Sequence, residues 1–145
     1  MKSLTFWTNW LVAVAALLIA FGLALAFFNQ SDPFDALFND SINSTFWGSV
    51  EVEDRTVTYQ RWVYGVLGAT VAGWGTAAGL IAHYAFRRRE RWAWNAIALS
   101  TVIWYVADTS ISLGFGVWVN AAFNTAVLIL VWLPLLATHK DFTSR

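Results

Sequence analysis

Five polar side chains within or directly beside the apolar segments of this sequence are able to do chemistry, and Asp108 is central among them. Asp108 is the only acid within four long apolar segments. An ionisable side chain inside such a segment is costly, and it usually marks a function. Asn120 and Asn124 are four residues apart, so they share one face of a helix. We predict that these three residues converge with Arg61 and Tyr64 in one polar set.

Three interpretations of this polar set stay open. The groups can satisfy one another and simply tie helix ends together. They can form the polar end of a ligand pocket. They can also pass protons or ions, although proton relays usually contain more than one ionisable side chain.

No motif in the sequence assigns a reaction. The zinc-protease and serine-hydrolase motifs are missing, and the glycines lie within an apolar helix and not in a phosphate-binding loop. The sequence contains no Cys, and His83 and His139 are too far apart to make a zinc site. We therefore expect a protein that is not an enzyme, we assign no catalytic residue and no metal ligand, and we identify no cofactor.

The segments that must position these side chains are long enough to cross a membrane. They cover residues 7–28, 62–86, 92–112 and 117–137, and a helix needs ~20 residues to span the bilayer core. Charged residues make up 12% of the chain, against about 25% in soluble domains. We predict an all-α integral membrane protein in which residues 1–145 form one domain.

The link between the last two segments is short, which favours antiparallel neighbouring helices. An up-down-up-down bundle of four transmembrane helices follows. The first segment is longer than the ~7–15-residue core of a signal peptide, so we expect a retained span.

The connector of residues 29–61 carries two patterns. Asp32 followed by Pro33 is typical of a helix start, and several apolar side chains then share one helical face. These side chains are Phe34, Leu37, Phe38 and Ile42. The pattern predicts a short outer amphipathic helix. Residues 50–59 alternate in polarity on both sides of a charged dipeptide, which predicts a β-hairpin. Together the two elements would cap the outer mouth of the bundle or only shield helix ends.

The second apolar segment carries a stripe of small residues at alternating spacings of three and four. The stripe consists of Gly65, Gly68, Ala72, Gly75 and Gly79. Small residues at this spacing let a neighbouring helix approach closely. We expect the stripe to face the first helix or the bundle centre, and a homodimer seam is the alternative.

The distribution of charge predicts the orientation. Basic residues concentrate in residues 1–6, 87–91 and 138–145, whereas acids concentrate in the connector. Basic short loops stay in the cytoplasm, so both termini should be cytoplasmic and the connector should lie outside. The arginine run of residues 87–91 anchors this orientation or binds anionic lipid head groups. One short basic run at a membrane surface does not predict nucleic-acid binding.

A resemblance to small bacterial four-helix membrane proteins of the DoxX-like type is carried by two stretches. Residues 59–68 read Tyr-Gln-Arg-Trp-Val-Tyr-Gly-Val-Leu-Gly, and residues 87–96 read Arg-Arg-Arg-Glu-Arg-Trp-Ala-Trp-Asn-Ala. The resemblance covers the last three helices and implies a four-helix fold in a bacterial cytoplasmic membrane. It brings no catalytic residue, and the second buried acid of the sterol-isomerase and sigma-2-type bundles is missing.

Two functions from different classes remain open. In the first, the bundle binds a lipid or a small apolar ligand in a pocket in its outer half, near Asp108. In the second, the chain is a structural accessory subunit of a larger membrane complex. The small-residue stripe or the Trp-rich faces would then hold the partner, or a second copy of the chain.

Overall fold

The computed structural model describes residues 2–143, and the fold over this range is helical. In chain order the α-helices are α1 (Lys2–Phe28), α2 (Asp32–Phe34), α3 (Asp40–Trp47), α4 (Asp54–Leu80), α5 (Arg91–Gly114) and α6 (Trp118–Thr143). Four helices, which contain α1, α4, α5 and α6, are each long enough and apolar enough to cross a membrane. The prediction of an all-α chain with four such helices is therefore confirmed.

Residues 32–47 form one continuous helical segment, which we call the cap. Within it, the π-helical turn Asp35–Asn39 joins α2 to α3. The segment starts after Ser31, whose backbone is extended, and Pro33 lies in its first turn, where a missing N–H costs nothing. It ends at Gly48, which has a left-handed φ of 69° that glycine adopts without strain. A helix therefore begins where Asp32 and Pro33 predict one.

The predicted β-hairpin over residues 50–59 is wrong. α4 begins at Asp54, so the second half of the alternating pattern is helical, and residues 2–143 contain no strand. The backbone N–H groups of Thr56 and Val57 both donate to the carbonyl oxygen of Glu53, at 2.8 and 3.1 Å. The acidic side chain of Asp54 suits the positive end of a helix dipole. A tight hairpin turn would instead have needed a glycine, which this segment lacks.

Helices α1 and α4 approach so closely that their backbones touch, and we call this contact the seam. A Cβ atom added to Gly68 would lie 2.4 Å from the carbonyl oxygen of Gly22 and 2.5 Å from the nitrogen of Ala26. A Cβ atom added to Gly22 would lie 2.5 Å from the nitrogen of Ala72. The contacts run in opposite order along the two helices, so the helices are antiparallel.

Two indole groups hold α6 against its neighbours near a proline. Pro134 lies inside α6 and has no N–H, so the carbonyl oxygen of Leu130 lacks its helical partner. The Trp10 indole N–H of α1 donates to that oxygen at 2.9 Å. The Trp94 indole N–H of α5 donates to the carbonyl oxygen of Leu135 at 3.0 Å. The Trp10 indole thus satisfies the backbone oxygen that the proline frees in an apolar surrounding, and the Trp94 indole adds a second tie to α6.

The apolar core lies toward the end of α6 that is remote from the cap. Phe86 and Leu135 are fully buried there, and the ring of Phe86 lies 4.6 Å from that of Phe142. The other end of the molecule, beneath the cap, is less filled.

Candidate functional site

A cavity of about 350 Å³ lies between the cap, α4, α5 and α6, with α1 along one side. We call it the main cavity. Its volume falls within the ~300–1,000 Å³ that is usual for small-molecule sites. Most of its lining is apolar and much of that is aromatic, including Phe21, Phe34, Phe38, Trp104, Phe115 and Phe123.

The aromatic wall of the main cavity is built from three separate elements. The ring of Phe21, on α1, lies 4.8 Å from that of Phe123, on α6. From the cap, the ring of Phe38 lies 5.6 Å from Phe123, and the ring of Phe34 lies 6.0 Å from Phe21. Rings at these separations are in contact with one another and form one continuous apolar wall of the main cavity.

The main cavity is also lined by members of a polar group of five residues, which we call the Asp108 network. One carboxylate oxygen of Asp108, Oδ1, accepts three hydrogen bonds: from Asn120 Nδ2 at 2.7 Å, Asn124 Nδ2 at 3.0 Å and Ser112 Oγ at 3.1 Å. The Asn120 amide also donates to Ser112 Oγ at 2.8 Å. The Asn124 amide also donates to Thr109 Oγ1 at 3.3 Å. Spacings of four residues on each of two antiparallel helices bring these groups face to face.

The Asp108 network is a hydrogen-bonded polar patch in an apolar surrounding. Asn124 is 1% exposed, so its amide has no access to bulk solvent and depends on protein partners. A carboxylate can only accept hydrogen bonds, and three donors at one oxygen offset part of the cost of removing the charge from water. The network therefore joins α5 to α6 and presents a single charged group to the main cavity.

The predicted polar set is only partly brought together. Tyr64 lines the main cavity with Asp108, Asn120 and Asn124. Arg61 does not line it, and its side chain is exposed. The long side chain of an arginine near a helix end reaches the surface easily while its stem covers apolar groups. Arg61 contributes its backbone instead, because its carbonyl oxygen accepts a hydrogen bond from Asn29 Nδ2 at 3.3 Å.

Asp108 has no cationic partner among residues 2–143. The ion pair in this range joins Arg89 to Asp141, with 3.6 Å between nitrogen and oxygen. That pair lies at the far end of α6, away from the cap. Arg61 and Asp108 therefore do not form an ion pair that would tie the helix ends together.

Sequence reasoning missed the buried amides that hold the cap in place. Asn39 Nδ2 donates to the carbonyl oxygen of Asn29 at 2.8 Å and to Asp35 Oδ1 at 2.6 Å. Gln60 Nε2, on α4, donates to Asn43 Oδ1 at 2.7 Å. Asn39, Asn43 and Gln60 are all buried. The sequence shows amides on the predicted amphipathic helix, but it does not show whether such an amide is buried or exposed to solvent.

The stripe of small residues lies against α1. Gly68, Ala72 and Gly75 are buried there. A Cβ atom added to Gly75 would lie 3.1 Å from the carbonyl oxygen of Ala15. The contacts at the ends of the stripe are looser: an added Cβ would lie 3.2 Å from Ala15 Cβ at Gly79 and 3.6 Å from Ala26 O at Gly65.

A second, smaller cavity provides a useful contrast. It has a volume of about 210 Å³ and lies deeper between α1, α4, α5 and α6. Its lining includes Ala78, Ile97 and Val131, with Ser100 and Thr101 as polar groups, and no charged side chain lines it. Within residues 2–143 no three His, Asp or Glu side chains cluster so that they could hold a metal ion.

Protein-family models, curated proteins and solved structures yield no match to this chain. The resemblance to DoxX-like proteins stays a prediction. The functional inference therefore depends on the geometry of the main cavity.

Proposed function

We propose that this chain is a multi-pass membrane protein that binds a lipid or a small apolar molecule in the main cavity and catalyses no reaction. The observation that carries the proposal is the lining of that cavity. Aromatic and aliphatic side chains cover most of it, and the Asp108 network supplies its one charged group together with several polar groups. Such a division suits an amphiphile, because each end of the molecule meets matching chemistry.

The exposed surface supports a lipid surrounding. Leu17, Leu99 and Ile103 are each at least 60% exposed on the long helices. Large apolar side chains exposed along several helices are disfavoured in water and suited to lipid. We further propose an up-down-up-down bundle in a bacterial cytoplasmic membrane, with both termini in the cytoplasm and the cap outside. The DoxX-like resemblance and the basic run of residues 87–91 support that placement.

The accessory-subunit alternative has two surfaces available in principle. The small-residue stripe is covered by α1 of the same chain, so a partner at the stripe would have to displace a helix. Exposed indoles such as Trp62 and Trp118 are the remaining candidates, and Trp near a membrane interface needs no protein partner. Binding in the main cavity is therefore the better-supported function.

Native mass spectrometry of the protein, purified in a mild detergent and then offered decanol, tests the proposal. The variant Val71→Trp puts a large side chain into the main cavity, which Val71 lines. The matched variant Ala78→Trp puts the same side chain into the second cavity, two helical turns along the same face of α4. We expect one small molecule per wild-type chain, loss of that molecule in Val71→Trp, and retention in Ala78→Trp.

Equal occupancy in Val71→Trp and in the wild type would contradict the proposal, provided that both variants keep wild-type helicity. If Val71→Trp fails to fold, Val71→Phe fills less space and takes its place. Polypeptides that co-purify at a fixed stoichiometry, with no bound small molecule, would favour the accessory subunit instead.

A further inference from the structure

The second carboxylate oxygen of Asp108 has no protein partner. Oδ1 takes all three hydrogen bonds from the Asp108 network, and no group in residues 2–143 donates to Oδ2. Oδ2 is also not among the buried polar atoms that lack a partner, so it retains access to open space. Because Asp108 lines the main cavity, a bound molecule can reach this oxygen.

No positive charge balances Asp108 within the main cavity. Among the described residues that line it, none is Lys, Arg or His. Arg61, the nearest candidate from the sequence, is exposed and outside the lining. A second acid lies close by, because Asn39 lines the cavity and bonds to Asp35 Oδ1 at 2.6 Å. A carboxylate with no cation nearby in an apolar surrounding favours a ligand that brings one.

Two aromatic residues of the cavity lining suit the same kind of ligand. Tyr64 and Trp104 line the cavity together with Asp108. A cation near the face of an aromatic ring is attracted by the negative face of the ring, most strongly by Trp. The aromatic wall described above, formed by Phe21, Phe34, Phe38 and Phe123, is rich in Phe. This Phe-rich wall then remains for the alkyl or aromatic body of the ligand.

We propose that the main cavity selects amphiphiles that carry a protonated amine, with the ammonium group donating to Asp108 Oδ2 and the apolar body against the Phe-rich wall. This proposal rests on the proposed function, because it names the class of molecule that the same cavity takes. A carboxylic acid of equal length is disfavoured by repulsion from Asp108. An alcohol of equal length keeps the apolar contacts and a hydrogen bond but lacks the charge.

The test compares decylamine, decanol and decanoate, which share a chain length and differ in head group. Binding is measured by calorimetry in an uncharged maltoside detergent near neutral pH, where the amine is protonated. Uptake that persists in Val71→Trp is taken as partition into the micelle and is subtracted. We expect decylamine to bind about tenfold or more tightly than decanol, since a charge-assisted hydrogen bond exceeds a neutral one by roughly that factor. Decanoate should bind most weakly.

The variant Asp108→Asn separates charge from structure. Asn keeps Oδ1 as the acceptor for the Asp108 network and replaces only Oδ2. We expect the preference for decylamine over decanol to disappear in this variant while the affinity for decanol stays within about twofold of wild type. Asp141→Asn removes a carboxylate far from the cavity, where it pairs with Arg89, and should leave both affinities unchanged.

Two results would overturn this inference and leave the proposed function intact: equal binding of decanol and decylamine by the wild type, or an amine preference that survives in Asp108→Asn. If none of the three probes binds beyond the uptake seen in Val71→Trp, this inference and the proposed function both fail.

Discussion

The seam and the main cavity occupy two faces of the same helix and are built in opposite ways. On one face of α4, Gly68 and Ala72 let the backbone of α1 come into contact. On another face, Tyr64, Leu67 and Val71 border about 350 Å³ of open space. Side-chain size along α4 thus decides where the helices come into contact and where they leave open space.

The two regions also differ in what they contribute. Lipid offers no hydrophobic drive for helices to associate, so close contact and dispersion must hold the seam together. A cavity gives up such contacts, because the atoms that line it lack neighbours on one side. The seam is therefore expected to carry stability, whereas the main cavity, with its Asp108 network, is expected to carry binding.

The largest effect on stability should come from adding a single methyl group inside the seam. Gly68→Ala would place a Cβ atom 2.4 Å from a backbone oxygen of α1, so the helices must separate. We expect the free energy of unfolding to fall by about 3 kcal/mol, at the upper end for overpacking. Denaturation in mixed micelles, followed by circular dichroism, measures it.

The same substitution at Gly73 is the matched control. A Cβ atom at Gly73 meets nothing within 4 Å, and alanine favours a helix over glycine by about 0.5–1 kcal/mol. Gly73→Ala should therefore be neutral or slightly stabilising. Equal destabilisation by the two variants would show that the seam is not a close backbone contact.

The next largest effect should come from the buried amide of the Asp108 network. Asn124→Ala removes a donor from Asp108 and from Thr109 at a site that is 1% exposed. We expect a loss of about 2 kcal/mol, within the range for leaving buried polar groups unpaired. Asn95→Ala, an exposed amide on α5, should change stability by less than about 0.5 kcal/mol. A loss at Asn124 no larger than at Asn95 would mean that the network does not hold α5 to α6.

A smaller and more local effect is expected at the cap. Gln60→Leu keeps the volume of the side chain but leaves the buried Oδ1 of Asn43 without its donor. We expect a loss of about 1 kcal/mol and faster amide exchange across Asp40–Trp47, measured by hydrogen–deuterium exchange. Thr58→Val, which removes a bond within α4 itself, should leave exchange in the cap unchanged. If the two variants exchange alike, the Gln60 contact does not fasten the cap.

The smallest change in stability is expected from Asp108→Asn. Asn retains the Oδ1 acceptor, so the unfolding free energy should shift by less than about 1 kcal/mol. This outcome would separate binding from stability, because a residue whose role is binding can change ligand preference without changing the free energy of unfolding. A loss of several kcal/mol, measured in the same mixed-micelle denaturation, would make Asp108 a structural tie between helices.

Depth along the helices was predictable from the sequence, and rotation about their axes was not. Counting residues from the turn between α5 and α6 brings Asp108 and Asn120 to one level, and in the structure a 2.7 Å hydrogen bond joins them. Arg61 was expected at a similar level, but its side chain is exposed. In lipid the outward face of a helix is also apolar, so hydrophobic periodicity does not report which side faces the bundle.

The connector shows a second limit. Alternation over four residues on each side of a charged dipeptide fits two strands, but it also fits a short loop followed by a helix whose first turn is acidic. The structure has the helix, with Glu53 at its N-cap and Asp54 in its first turn. The glycine of α1 that meets Gly68 was missed for a related reason, since one glycine among alanines forms no recognisable stripe.

The most direct test of the central claim, that an amphiphile occupies the main cavity, is photolabelling in proteoliposomes. Decanol and decylamine that carry a diazirine near the chain end are irradiated with the protein, and the labelled residues are mapped by mass spectrometry. We expect label on cavity-lining residues such as Phe38, Ile42 and Trp104, and its displacement by excess unlabelled probe. Label that falls on outward-facing Leu17, Leu99 and Ile103 and resists displacement would contradict it.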